Sequence, residues 1–232
     1  MSDAELLEFP DRGALDDALA AAVADQLAAG IEARGRASLA VSGGSTPKGV
    51  FARLARTSLA WDAVTVTLVD ERWVKPTHAD SNERLTRENL LTGGAAAARF
   101  VPLYAEAPRP EDALGEIAAS LTVFDTFDSV MLGMGADGHF ASLFPGSASL
   151  DAGLDLDGSE DCIAVDPPVA PHARMSLTLA RIINTRQLVL QITGDEKRTV
   201  LELARRHRDP QQLPIAAVLA LSAPPLAVYW SP

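Results

Sequence analysis

The feature that most constrains this chain is a sustained alternation of extended and helical patterns. "LDDALAAAVADQLAAGIEA" has helical spacing and precedes an apolar "ASLAV". "PKGVFARLAR" reads as a helix with Pro47 in its first turn. "AVTVTLVD" is a β-branched strand. "SNERLTRENLL" returns to helical spacing, with Ser81 or Asn82 as N-cap. After a short extended "RFVPLY", the helix "PEDALGEIAASLTVF" leads into the strand "DSVMLGM". "DCIAV", "QLVLQIT" and "PLAVYW" read as further strands, and "DEKRTVLELARRH" as a helix. Such alternation predicts βαβ crossovers: an α/β, Rossmann-like, mostly parallel sheet flanked by helices. With no repeat or linker, residues 1–232 are expected to form a single domain. The "AAAA" at 95–98 and "PGSASLDAGLDLDGSED" are taken as surface loops.

Composition narrows the function classes. A net charge of -11 argues against nucleic-acid partners and acidic membrane surfaces. A small anionic ligand stays open, because a few local cations can reverse the field in one cleft. The single cysteine, Cys162, permits no intramolecular disulfide and reads as a buried strand thiol. No apolar run is long enough to span a membrane, and the acidic start lacks a signal-peptide pattern. The expected setting is cytoplasmic, and a monomer and a homodimer are equally compatible with the sequence.

In open parallel sheets, ligands sit beyond the carboxyl ends of the strands. Four polar clusters fall at such ends: "SGGSTP", "DERW", "GMGADGH" and "TGDEK". They are expected to line one cleft. Ser42, Gly43, Gly44, Ser45 and Thr46 join a strand to a helix, with small residues and hydroxyls suited to an anion. The segment is no P-loop, since Lys48 is followed by Gly49 and Val50. Asp70, Glu71 and Arg72 place three charges where a buried strand meets a loop. Arg72 would polarise a ligand oxygen, and Asp70 or Glu71 would orient it or bind hydroxyls.

Gly133-x-Gly135-x-x-Gly138 has the spacing of a dinucleotide-binding turn, but that fingerprint needs a helix running on from its third glycine. Pro145 ends any such helix early. The alternative is a sharp turn that projects His139 from the strand end as a general base, with Asp137 holding its tautomer or placing water. Lys197 and Arg174 would supply positive charge for a phosphorylated ligand. His172 reads as structural or ligand-contacting, and His78 and His207 as surface residues. No His, Cys or carboxylate spacing suggests a zinc site, so no metal is expected.

Taken in order, "SGGSTP", "DERWV", "SNERLTRENLL", "GMGADGHFASLFPG", "HARMSLTL" and "TGDEKRTVLE" resemble the 6-phosphogluconolactonases. The resemblance runs from about Val41 to "LPIAAVL". It implies a fold shared with glucosamine-6-phosphate deaminases and ribose-5-phosphate isomerases. It also implies cofactor-free hydrolysis of a sugar-phosphate lactone, 6-phosphoglucono-1,5-lactone, in the oxidative branch of the pentose phosphate pathway. On that pattern His139 activates water, Asp137 supports it and Arg72 stabilises charge at the lactone oxygens. Phosphate lies against Ser42 to Thr46 with Arg174 and Lys197 as counter-charges. Phe140, where relatives carry a small polar residue, is expected to alter the cleft rim. The deaminases resembled second carry a glutamate five residues after the histidine, and here that position is Phe144. A non-catalytic sugar-phosphate sensor is the reading from another class; it would have little reason to keep His139, Asp137 and Arg72 together.

Overall fold

The computed structural model describes residues 4–232. Strand β1 (Glu5–Glu8) leads into helix α1 (Arg12–Arg34), which Asp11 caps by accepting from the amide of Ala14. Leu15, Leu19, Val23 and Leu27 recur at helical spacing and are buried, so α1 packs across the sheet and against the next helix. There follow β2 (Ala37–Val41), α2 (Lys48–Leu54), β3 (Val64–Leu68), β4 (Asp70–Arg72), α3 (Asn82–Asn89) and β5 (Arg99–Phe100). The middle holds α4 (Leu114–Leu121), β6 (Ser129–Gly133), α5 (Leu150–Leu154), β7 (Cys162–Val165) and β8 (Arg174–Leu177). The chain closes with α6 (Leu179–Ile183), β9 (Leu188–Thr193), α7 (Asp195–His207), α8 (Ile215–Leu219) and β10 (Leu226–Ser231).

Seven strands form one parallel sheet in the order β1-β10-β9-β6-β2-β3-β5. This is the expected α/β architecture, and its central strands are buried almost throughout, as parallel strands covered on both faces must be. The chain runs outward from β2 through β3 to β5, then returns to place β6 on the other side of β2. The carboxyl ends of β2 and β6 therefore flank a topological switch point, where such sheets open a crevice.

Several elements differ from expectation. "DCIAV" is a strand, β7, but it lies in a separate antiparallel sheet of order β4-β8-β7. Asp70–Arg72, expected to end the strand before it, is itself a separate strand of that sheet. The segment expected to be one helix from Pro110 begins as a 3-10 turn, Pro110–Ala113, before α4. A helix, α5, interrupts the expected surface loop after Pro145, and Ala95 is buried in a 3-10 turn. Ser81, not Asn82, caps α3, its hydroxyl accepting from the amide of Arg84. Cys162 is buried in β7, and burial, aided by the charges of Asp161 and Glu160, pushes its thiol up to about 12. No described helix is long and apolar enough to cross a membrane.

Candidate active site

The carboxyl ends of β2 and β6 are stitched together by one side chain. Ser42 donates its hydroxyl to the carbonyl of Met131 (2.9 Å) and accepts from the amide of Gly133 (3.0 Å). The two loops that leave these strands thus start from a common fixed point. Between them opens a cleft of about 280 Å³. Ser42 to Thr46, Asp70, Arg72, His139 and Lys197 all line it, so the structure gathers all four sequence clusters in one place.

The loop after β2 has the form of an anion cradle. Among the described residues, the amides of Gly43, Gly44, Ser45 and Thr46 take no protein acceptor. Arg12, a residue that sequence reasoning passed over, fixes the loop from behind by donating to the carbonyls of Ser45 (2.9 Å) and Thr46 (2.8 Å). A Cβ at Gly43 would overlap the carboxamide of Asn82, so only glycine lets α3 approach the loop this closely. Lys197, in the first turn of α7, brings its chain to the same wall. Burial lowers its pKa, the charge of Glu196 opposes that shift, and Arg12 adds to it.

The turn after β6 aims His139. Gly135 donates its amide to the carbonyl of His139 (2.9 Å), and Gly138 to that of Gly135 (3.1 Å). A Cβ at Gly135 would collide with both the His139 ring and the Asp137 carboxylate. Chain continues from Gly138 into a tight bridge between Phe140 and Leu143, with no helix, which removes the structural basis for dinucleotide binding. Asp137 Oδ1 lies 2.5 Å from His139 Nδ1 and also accepts the His139 amide (3.2 Å). Burial pushes the Asp137 carboxyl up, but the hydrogen bond and charge of His139 outweigh it and hold the carboxyl below its ordinary value. With Nδ1 committed to Asp137, Nε2 is the nitrogen left for chemistry. From outside, the amide of Ile215 at the start of α8 holds the carbonyl of Gly138 (2.9 Å).

Asp137 does not line the cleft; it reaches it through His139. Phe144 packs its ring 4.3 Å from the His139 ring, centroid to centroid. Phe140 is fully buried, so the expected effect of this residue on the rim does not arise: its ring fills the core beneath the turn. Asp70 accepts from the hydroxyl of Ser142 (2.6 Å) and from Asn82, tying the His139 segment to α3. Asn82 and Gln191, both buried at the cleft wall, were not anticipated. Gln191 is held from below by Asp16 (3.1 Å), a carboxylate buried within the apolar face of α1.

Two expected ligand contacts are not offered. Glu71 is fully buried outside the cleft lining, with both oxygens occupied. Oε1 accepts from the amides of Arg72 and Asn82 (2.7 Å each), and Oε2 from the amide of Glu83 (2.7 Å) and the hydroxyl of Ser81 (3.1 Å). It satisfies the orphan donors at the start of α3. Burial pushes its carboxyl up to about 7, against those backbone bonds. Arg174 stands directly opposite Arg72 across β4 and β8, but it is buried behind the cleft wall and donates to the carbonyl of Pro171 (3.1 Å). Burial lowers its pKa, and the charge of Asp70 partly restores it. Arg72 alone of the pair lines the cleft, with Nη1 on the carbonyl of Asp80 (2.7 Å).

Residues 10–230 match the family model described as glucosamine-6-phosphate isomerases/6-phosphogluconolactonase. A 6-phosphogluconolactonase of Rhizobium meliloti (strain 1021) is 46% identical over 226 residues, covering 97% of each chain. The crystal structure of a 6-phosphogluconolactonase from Shewanella baltica OS155 superposes with a TM-score of 0.96 at 42% identity, over 99% of this chain and 98% of that one. A monomeric glucosamine-6-phosphate deaminase shares the fold at 16% identity, with a TM-score of 0.79 over 98% of this chain and 97% of its own.

Proposed function

The chain belongs to the glucosamine-6-phosphate isomerase/6-phosphogluconolactonase family, on its 6-phosphogluconolactonase side, and we propose that it hydrolyses 6-phosphoglucono-1,5-lactone through a histidine general base as one lactonase domain spanning the chain. The observation that supports the mechanism is His139, held at Nδ1 by Asp137 and lining the same cleft as the free amides of Gly43 to Thr46 and Lys197.

Phosphate lies against the loop amides, with Lys197 as counter-charge. This fixes the far end of the sugar and carries the lactone carbonyl toward His139. Nε2 takes a proton from water as the oxygen attacks the carbonyl carbon, and Asp137 stabilises the imidazolium that forms. Arg72 donates to the oxygen that gains charge in the tetrahedral intermediate. When that intermediate collapses, the ring C–O bond breaks and the imidazolium returns its proton to the departing oxygen, giving 6-phosphogluconate. Arg174 acts at one remove, adding positive potential behind Arg72. The Phe144 ring beside His139 supports this reading over the deaminase, because the position is apolar and offers no carboxylate for ring opening.

The direct test follows 6-phosphogluconate released from freshly generated lactone and compares the rate with the spontaneous one. Turnover far above the blank is expected, with no ammonia released from glucosamine-6-phosphate. A rate equal to the blank contradicts the proposal; ammonia release would point to the deaminase, and binding without turnover to a sensor.

A further inference from the structure

The antiparallel pairing of β4 and β8 has a consequence outside the cleft floor. Because Arg72 stands opposite Arg174, the loop leaving β4 and the loop entering β8 run side by side, and the Trp73 amide extends the pairing to the carbonyl of Ala173 (2.8 Å). His78 and Asp80 on the first loop thereby meet His172 on the second, 92 residues from Asp80 in the chain. Nothing in the proposed lactonase chemistry uses these three side chains.

We infer that His78, Asp80 and His172 form a divalent-cation site at the rim of the cleft, suited to Zn²⁺ or Co²⁺. One donor atom from each residue lies within 4.8 Å of the other two. Asp80 Oδ2 is 2.9 Å from His172 Nε2 and 3.8 Å from His78 Nδ1. Tetrahedral zinc, with bonds of about 2.0–2.2 Å, sets its ligand atoms roughly 3.4 Å apart, so these separations bracket what the ion needs. Two imidazoles and a carboxylate are a donor set for a borderline ion, and three protein ligands leave a fourth position for water. All three side chains reach solvent, which gives an ion its entry path.

The backbone around the set is anchored. The His78 amide donates to the carbonyl of Lys75 (2.8 Å) and its carbonyl accepts the amide of Ser81 (3.1 Å). The Asp80 carbonyl is held by Arg72. His172 adopts φ +69, a conformation costly for a side chain with a Cβ, and in it the ring is turned onto Asp80. The imidazoles of His78 and His172 meet edge to face with centroids 5.5 Å apart. His78 Nδ1 accepts the Asp80 amide (3.1 Å), so it is unprotonated there, and an ion would take its one lone pair over from that amide. A bound ion would clamp the loop that holds Arg72 to the loop that precedes Arg174.

The test needs no substrate. Chelator-treated, dialysed full-length protein is titrated with Co²⁺ alone, followed by visible absorption and calorimetry. One saturable equivalent with the absorption of a tetrahedral or five-coordinate site is expected. It should persist in His139→Ala and weaken by about tenfold or more in His172→Ala and in His78→Ala. Metal-free melting of these exposed-site variants should match wild type, and Asp80→Asn gives an independent variant of the same shape. Absence of a saturable equivalent in wild type overturns the inference. So does binding that survives loss of both His78 and His172, or that disappears in His139→Ala.

Discussion

Asp137 Oδ1 sits 2.5 Å from His139 Nδ1 while also accepting the His139 amide. One carboxylate therefore sets both the tautomer of the ring and the turn that carries it. In Asp137→Asn the carboxamide still fits, but it brings no charge to stabilise an imidazolium and can present an N–H to Nδ1, which favours the wrong tautomer. We expect kcat to fall by about 10- to 10³-fold with little change in KM. Equal kcat in the two proteins, measured by initial rates at saturating lactone, would remove Asp137 from the mechanism.

Lys197 should act on binding more than on chemistry. It lines the cleft with the free amides, and it feels the charge of Arg12, which holds the cradle loop from behind. A hydrogen bond to a charged group contributes about 1.5–3 kcal/mol, so Lys197→Met should raise KM about 10- to 100-fold. Competition by inorganic phosphate should weaken in parallel. A variant with unchanged KM and reduced kcat would place the lysine at the lactone end instead.

Glu71 predicts a pH-dependent stability. Burial holds its folded-state carboxyl at about 7, against a reference value of 4.5. Between these values the folded protein keeps a proton that the unfolded chain releases. The resulting stabilisation is complete below the unfolded value and is lost as pH rises through about 7, an effect of about 3 kcal/mol. Glu71→Gln cannot titrate, and it turns an amide group toward backbone donors, so it should be the less stable protein. Urea unfolding across this range should show the gap between wild type and variant narrowing as pH rises. A constant or widening gap would contradict the assignment.

The sequence made the parallel sheet legible because its strands carry their own signal: β-branched or continuous apolar runs in β2, β3, β6, β9 and β10, separated by helical spacing. The cleft followed from the rule about strand ends, and nine of the twelve residues expected at the site line it. The small antiparallel sheet was hidden, because β4 and β8 are short and their pairing of Asp70 with Ser176 leaves no local pattern. Glu71 read as a strand-end carboxylate free to meet a ligand for the same reason, since its four hydrogen-bond donors lie on its neighbour Arg72 and on residues 81–83. Arg12, Gln191 and the His78–Asp80–His172 group are assembled by tertiary approach, which spacing along the chain does not encode.

The central claim is that His139 is the base, and the measurement that reaches it most directly is single-variant kinetics of His139→Ala. The variant should melt like wild type and bind 6-phosphogluconate as tightly, because the phosphate cradle is built from other residues. Its kcat should fall by about 10²- to 10⁴-fold toward the spontaneous rate. A folded His139→Ala protein that hydrolyses the lactone at the wild-type rate would contradict the account.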